Sequence, residues 1–255
     1  MPNVSPSRGV SRSSAAARGP GIARSLSKPG KIDGVVATLG GAIARGGFAP
    51  GASLPRESEL ERQFGASRGV VREAVKILAT KGLVSVRPRL GTRVRPRRDW
   101  SLLDHDVLGW IGSGGIDREL LLALDETRRV VEPGAAEIAA RRADDEDRRR
   151  IRAAYRAMEA ACHEPGPATA ADKSFHLAIL DATHNPVLRG FRTAVEAILD
   201  AVFGATIPML APNLPNHEAV ASAIEAGDPA AARAAMERLL GRTRDLIEAR
   251  PADPR

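Results

Sequence analysis

Residues 56–80 read RESELERQFGASRGVVREAVKILAT, and the fold turns on how this stretch is divided. A short helix is expected from Arg56 to Phe64, a break at Gly65-Ala66-Ser67, and a longer helix from Arg68 to Thr80 with Val71, Val75 and Leu78 turned inward. Two helices joined by a three-residue turn containing glycine form the helix-turn-helix pattern. Working outward, Ile32, Val35, Val36, Leu39 and Ile43 recur at helical spacing between Lys31 and Ala44, and Gly46-Gly47 stops that helix. Phe48 to Pro55 reads as a turn-rich link. On the other side, after Lys81-Gly82, the runs Leu83-Val-Ser-Val and Thr92-Arg-Val flank Arg87-Pro-Arg89-Leu-Gly91, the signature of a two-stranded wing.

The ends differ sharply from this centre. Residues 1–27 are Ser, Arg, Gly and Pro with few large apolar side chains, and a disordered basic tail is expected there. The winged helix-turn-helix domain is placed at 28–96, a polar linker at 97–101, and an all-helical domain at 102–250. That domain is read as six or seven helices: Leu102–Ile111, Arg118–Arg142, Asp144–Cys162, Ala170–Thr183, Pro186–Thr206, Asn216–Ala226 and Asp228–Ala249. Loops are expected at Pro165-Gly-Pro167 and across the proline cluster from Pro208 to Pro215. The expected class is mainly α, a winged helix-turn-helix followed by an all-α bundle.

Composition narrows the function. The 255 residues carry 1 cysteine, so neither an internal disulfide nor a cysteine-based zinc cluster is available and a reducing, cytoplasmic setting is expected. No stretch reaches the roughly 20 apolar residues of a membrane span. The overall charge of +7 conceals a division: residues 1–98 hold 19 Lys/Arg against 5 Asp/Glu, while the remainder holds 19 against 26. A basic front before an acidic back is expected where one domain meets a polyanion and the other does not.

In a helix-turn-helix the first turn of the second helix faces base edges. Arg68 and Arg72, four apart, share a face, and each guanidinium can pair with guanine or clamp a phosphate. Ser67 is the expected N-cap, with a hydroxyl that can also reach a phosphate. Arg56, Arg87 and Arg89 are further candidates, and Gly91 lets the wing backbone approach a groove. Residues Pro50 to Val94, carrying these motifs, resemble the winged-helix domain of the GntR family of bacterial transcription regulators. The resemblance implies operator DNA binding as a homodimer. Related sequences often have arginine where this chain has Ser58.

Asp172 and His176 lie four apart on one helix face and can share a metal ion, with His217 as a third ligand; a plain surface hydrogen bond is the other reading. Arg128, flanked by Glu126 and Glu132, suits a carboxylate, and a helix-surface pair with Glu132 competes with that role. Glu126-Thr-Arg128-Arg-Val-Val-Glu132-Pro133, Asp172-x-x-Phe175-His176, Asn185-Pro-Val-Leu188 and the run from His217 to Asp228 resemble the FCD ligand-binding domain of the FadR subgroup. The resemblance implies a divalent metal, often zinc, held by Asp172, His176 and His217, with Leu239 standing where a fourth histidine is expected. It also implies a small carboxylate effector near Arg128, with a sugar acid such as an aldonate favoured. Two readings compete with a repressor released by such an effector: a hydrolase using Asp172, His176 and His217, and a non-specific architectural DNA-binding protein. No zinc-hydrolase motif, phosphate loop or nucleophile elbow accompanies them.

Overall fold

The computed structural model describes residues 30–87, 90–206 and 210–249, apart from the side chains of residues 203–206 and 246. The expected tail at 1–27 and Arg89 lie outside the described residues. Helix α1 (Lys31–Ala44) buries Val35, Val36, Leu39 and Ile43, the face its periodicity marks. α2 (Glu57–Phe64) starts with the Arg56 N–H donating to Glu59 Oε2 at 2.9 Å and ends at Gly65, whose φ of 58° and ψ of 37° suit glycine best. α3 (Arg68–Thr80) buries Val71, Ala74, Val75 and Leu78 against the same core.

The wing is the antiparallel pair β1 (Val84–Arg87) and β2 (Gly91–Val94), with Val84 opposite Val94 and Arg87 opposite Gly91. The Phe48–Pro55 link has more order than a turn. The Leu54 N–H donates to Thr92 O at 2.9 Å and the Val94 N–H to Ala52 O at 3.0 Å, so this segment lends the hairpin a third backbone edge. Backbone polar groups folded against a strand must find partners.

The expected 97–101 linker is tied down. Arg97–Asp99 form one 3-10 turn, the Trp100 indole N–H donates to Arg95 O at 3.0 Å, and the Ser101 N–H donates to Lys81 O at 3.0 Å. Gly82, at φ +81°, lies so close that an added Cβ would sit 2.4 Å from Asp99 O. Asp104 then caps α4 (His105–Gly112) by accepting from the Asp106 and Val107 N–H groups, which moves the helix start from the expected Leu102. Lys81 Nζ reaches Asp104 at 2.8 Å and Asp106 at 2.9 Å, joining the α3 end to the α4 start. α4 packs against α1 and against α9 (Arg192–Thr206), with the Trp110 ring on Gly40.

Beyond α4 come α5 (Arg118–Arg142), α6 (Asp145–Ala161), α7 (Pro165–Asp181), α8 (Pro186–Gly190), α9 (Arg192–Thr206), α10 (Leu210–Glu225) and α11 (Pro229–Ala249). With α4 this makes eight helices among the described residues, where six or seven were expected. Two expected loops and one expected helix are corrected. Pro165 and Pro167 open α7, since first-turn N–H groups have no helical partner to lose. α10 begins at Leu210, inside the proline cluster, and continues through Pro215 at the cost of one rung to the Ala211 carbonyl. Pro208 lies outside the described residues. The single helix expected over Pro186–Thr206 is two, broken at Phe191.

One apolar core runs from Val35, Leu39 and Leu78 of the head through Val107 and Ile111 of α4 to Leu121, Leu124 and Ile198. A second, rich in alanine, joins α5, α6, α7, α10 and α11 around Phe175, Met236 and Leu240. Alanine faces let these helices approach closely with little side-chain entropy lost. No helix among the described residues is long and apolar enough to cross a membrane.

Candidate functional site

The head offers an exposed basic surface. Arg56, Ser67, Arg68, Arg72 and Arg87 are exposed, as is Gly91, at φ +78°. Arg56 precedes α2, while Ser67, Arg68 and Arg72 occupy the start of α3. Ser67 holds the N-cap position, but its hydroxyl makes no cap hydrogen bond. The expected N-cap position is therefore met by the backbone, without the hydroxyl's bond to the helix. Arg68 Nε lies 3.6 Å from Glu57 Oε2, a partner that the residue pattern did not reveal. The Arg68 side chain is 73% exposed, so this pair is weak and easily exchanged for another anion. Arg93 of β2 is also exposed, and its guanidinium donates to Gly51 O at 3.1 Å.

The back domain encloses a buried polar cluster. α5 supplies Arg128 and Glu132, α7 supplies Asp172 and His176, and α10 supplies Asn213 and His217, all buried. His217 Nε2 lies 3.0 Å from Asp172 Oδ1, and His176 Nε2 lies 3.7 Å from the same oxygen. The other His217 nitrogen, Nδ1, lies 3.1 Å from the Asn213 carbonyl, a contact that orients the ring and aims Nε2 at Asp172. His176 Nδ1 is 2.7 Å from Glu132 Oε2; the angle falls outside hydrogen-bond geometry, and charge holds the pair. Phe175 packs edge-on against both imidazoles, fixing their planes.

Arg128 Nε donates to Glu132 Oε1 at 2.6 Å, and Nη2 approaches His176 Nε2 to 3.3 Å. The helix-surface reading of Arg128 is therefore corrected: this i,i+4 pair sits inside the bundle, where α7 and α11 cover α5. Burial opposes charge here, yet the guanidinium and His176 hold Glu132 down at about 2. Burial likewise opposes the imidazolium, but Glu132 and Asp172 outweigh it and push His176 up to about 9. Against its own burial, His176 and His217 hold Asp172 well below the usual carboxylate range.

One donor atom from each of Asp172, His176 and His217 lies within 4.8 Å of the others, all three residues buried. Two imidazoles and a carboxylate suit a borderline divalent ion such as zinc, and the partners on the far ring nitrogens are of the kind that fix metal-binding imidazoles. Leu239 is buried in the apolar core, and its carbonyl accepts from Asn213 Nδ2 at 3.3 Å. Asn213 and Glu132 thus support the cluster from behind. Neither was singled out as a site residue, because one lies amid the prolines and the other resembled a surface ion-pair partner. Asp144, Asp147 and His184 form a second acid–histidine group, explained by the α6 capping box and the 2.6 Å His184–Asp147 contact. The remaining histidines, His105 and His163, are not buried.

Comparison with known proteins joins the two sites. Residues 31–94 match the bacterial regulatory proteins of the gntR family, and residues 124–242 match the FCD domain. The galactonate operon transcriptional repressor of Escherichia coli (strain K12) is 37% identical over 223 residues, 86% of this chain and 97% of that protein. The transcriptional regulator LutR of Bacillus subtilis (strain 168) is 28% identical over 80% of this chain and 95% of its own length. The structure of Lar, which controls expression of the Listeria monocytogenes agr system, is alike in fold, with a TM-score of 0.65 and 17% identity over 88% of this chain and 99% of that one. The chain belongs to the GntR family: it is a DNA-binding transcriptional regulator with an N-terminal GntR helix-turn-helix domain and a C-terminal FCD domain.

Proposed function

We propose that this regulator is a homodimeric repressor, released from its operator when a small carboxylate, most fittingly an aldonate, binds in the FCD domain. The carrying observation is the buried cluster: Arg128 faces His176 beside Asp172 and His217, a combination of fixed cation and metal donors inside an otherwise alanine-rich bundle. Arg128 would orient the effector carboxylate through its planar fork. Asp172, His176 and His217 would hold a divalent ion, which when bound supplies a second positive charge for that carboxylate. The three-ligand set leaves room for the effector or water, since Leu239 offers no side-chain donor. The aldonate assignment is supported by the relative that represses a galactonate operon.

On the DNA side, Arg68 and Arg72 would read base edges, while Arg56, Ser67, Arg87, Arg89 and Gly91 would position the head on phosphates and groove walls. Membership in a family of regulators disfavours both the hydrolase and the architectural alternatives. The test is an operator-release titration, with labelled duplexes from upstream of the protein's own and neighbouring genes. D-galactonate, D-gluconate and L-lactate are added to the zinc-loaded protein. At least ten-fold weaker DNA binding with an aldonate is expected; no release by any aldonate overturns the effector assignment. Elemental analysis of the purified protein checks the metal, and about one ion per chain is expected.

A further inference from the structure

Asp125 stands apart from the balanced charges of the cluster. It lies on α5 one turn before Arg128 and two before Glu132, on the same inward face, and it is 0% exposed. Both carboxylate oxygens lack a hydrogen-bond partner among the described residues. The nearest cation shown is Arg244 of α11, whose Nη1 is 3.9 Å from Oδ2. That guanidinium is already committed to Glu126 at 3.3 Å and Glu248 at 2.6 Å. The neighbours along the face, Leu121 and Leu124, are apolar core residues. Burial pushes the Asp125 carboxyl up, although Arg128, Arg129 and Arg244 pull the other way.

A buried carboxylate with four unmet lone-pair positions is costly, and leucine there would extend the surrounding core. Local rules are broken at functional positions more often than elsewhere, and an unpartnered polar group within one turn of a ligand-binding arginine has an evident client. An aldonate carries a carboxylate at one end and a row of hydroxyls behind it. With the carboxylate at Arg128, the hydroxyls can extend along the α5 face toward Asp125, which can accept from two of them.

We propose that Asp125 is a specificity-determining residue, the hydrogen-bond acceptor that selects a polyhydroxylated carboxylate over a plain one. This rests on the effector reading given above. A site built to bond a hydroxyl rejects ligands lacking one, because its own polar group is then left unmet.

The experiment compares the full-length wild type with Asp125→Leu by calorimetric titration with D-galactonate and by thermal unfolding. The expected result is a variant with unchanged circular dichroism, a higher ligand-free Tm, and at least ten-fold weaker D-galactonate binding. A folded variant that binds D-galactonate less than ten-fold more weakly overturns the proposal, and a lower Tm with unchanged affinity marks Asp125 as a structural residue. If Asp125→Leu does not fold, Asp125→Ala is judged by the same ten-fold criterion. A wild type that binds no aldonate at all overturns the effector reading itself, an outcome distinct from a wild type and variant that bind alike.

Discussion

Arg68 and Arg128 each pair with a glutamate, yet their surroundings give them opposite uses. Arg68 is exposed and held at 3.6 Å by Glu57, a contact worth at most about 1 kcal/mol, so it can turn to DNA at little cost. Arg68→Ala is expected to leave thermal unfolding unchanged while lowering specific operator affinity by about 1–3 kcal/mol, roughly five- to 150-fold. Anisotropy titrations on operator and scrambled duplexes measure this, and an unchanged ratio of the two affinities contradicts the groove assignment. Arg128 is buried, and its removal strands Glu132 and Asp172 without their guanidinium. Arg128→Ala is expected to cost about 3–5 kcal/mol, the usual result of breaking a buried pair. A Tm lowered by on the order of 10 °C would show this, along with lost response to an aldonate. A variant as stable as wild type would mean that the pair contributes nothing net.

Between the residue and the domain, the α1–α4 contact ties the first helix of the head to the helix that follows the wing. Gly40 lets the Trp110 ring lie directly on α1; a Cβ there would sit 2.4 Å from the ring. Gly40→Ala is expected to push the two helices apart and to destabilise by about 1–3 kcal/mol, as overpacked sites do. Trp110→Leu in the same chain should recover part of that loss, and thermal unfolding of the single and double variants tests the coupling. α4 also meets α9, so the same wedge that seats the head touches the bundle. The α10 helix makes a related point about sequence signals: three prolines from 208 to 215 read as a loop, yet Pro212 falls in a first turn and Pro215 gives up a single rung. Tertiary burial of Asn213, His217 and Val220 outweighs that loss.

For the molecule as a whole, charge and core are distributed differently. Charge divides the chain into a basic front and an acidic back, whereas one apolar core crosses the division through α4. Each phosphate neutralised on DNA contributes about −0.9 to the slope of log affinity against log salt. Steep salt dependence is therefore expected, and Arg87→Ala, which removes one proposed phosphate contact, should flatten that slope by about 0.9 per engaged head. Identical slopes in variant and wild type would remove Arg87 from the backbone contacts. Zinc, acting on the whole bundle, should raise the Tm of the metal-stripped protein by mass action. The rise should disappear in His217→Ala, and a rise of equal size in that variant would locate the ion elsewhere.

Much of this architecture was written in local pattern. The helix-turn-helix was legible because Gly65 at the turn and the periodic Val71, Val75 and Leu78 act within a few residues, where backbone sterics and helical spacing decide. The Asp172–His176 spacing was equally local, as it places two donors on one face of α7. Tertiary structure alone decided which way those faces turned. Arg128 and Glu132 read the same on a surface or in a core until α7 and α11 closed over α5; Asn213 and Asp125 gained meaning only from what surrounds them. Spacing along a chain fixes which side chains share a face, but burial sets the strength of every charge on it, and burial is a property of the neighbours that long-range packing brings.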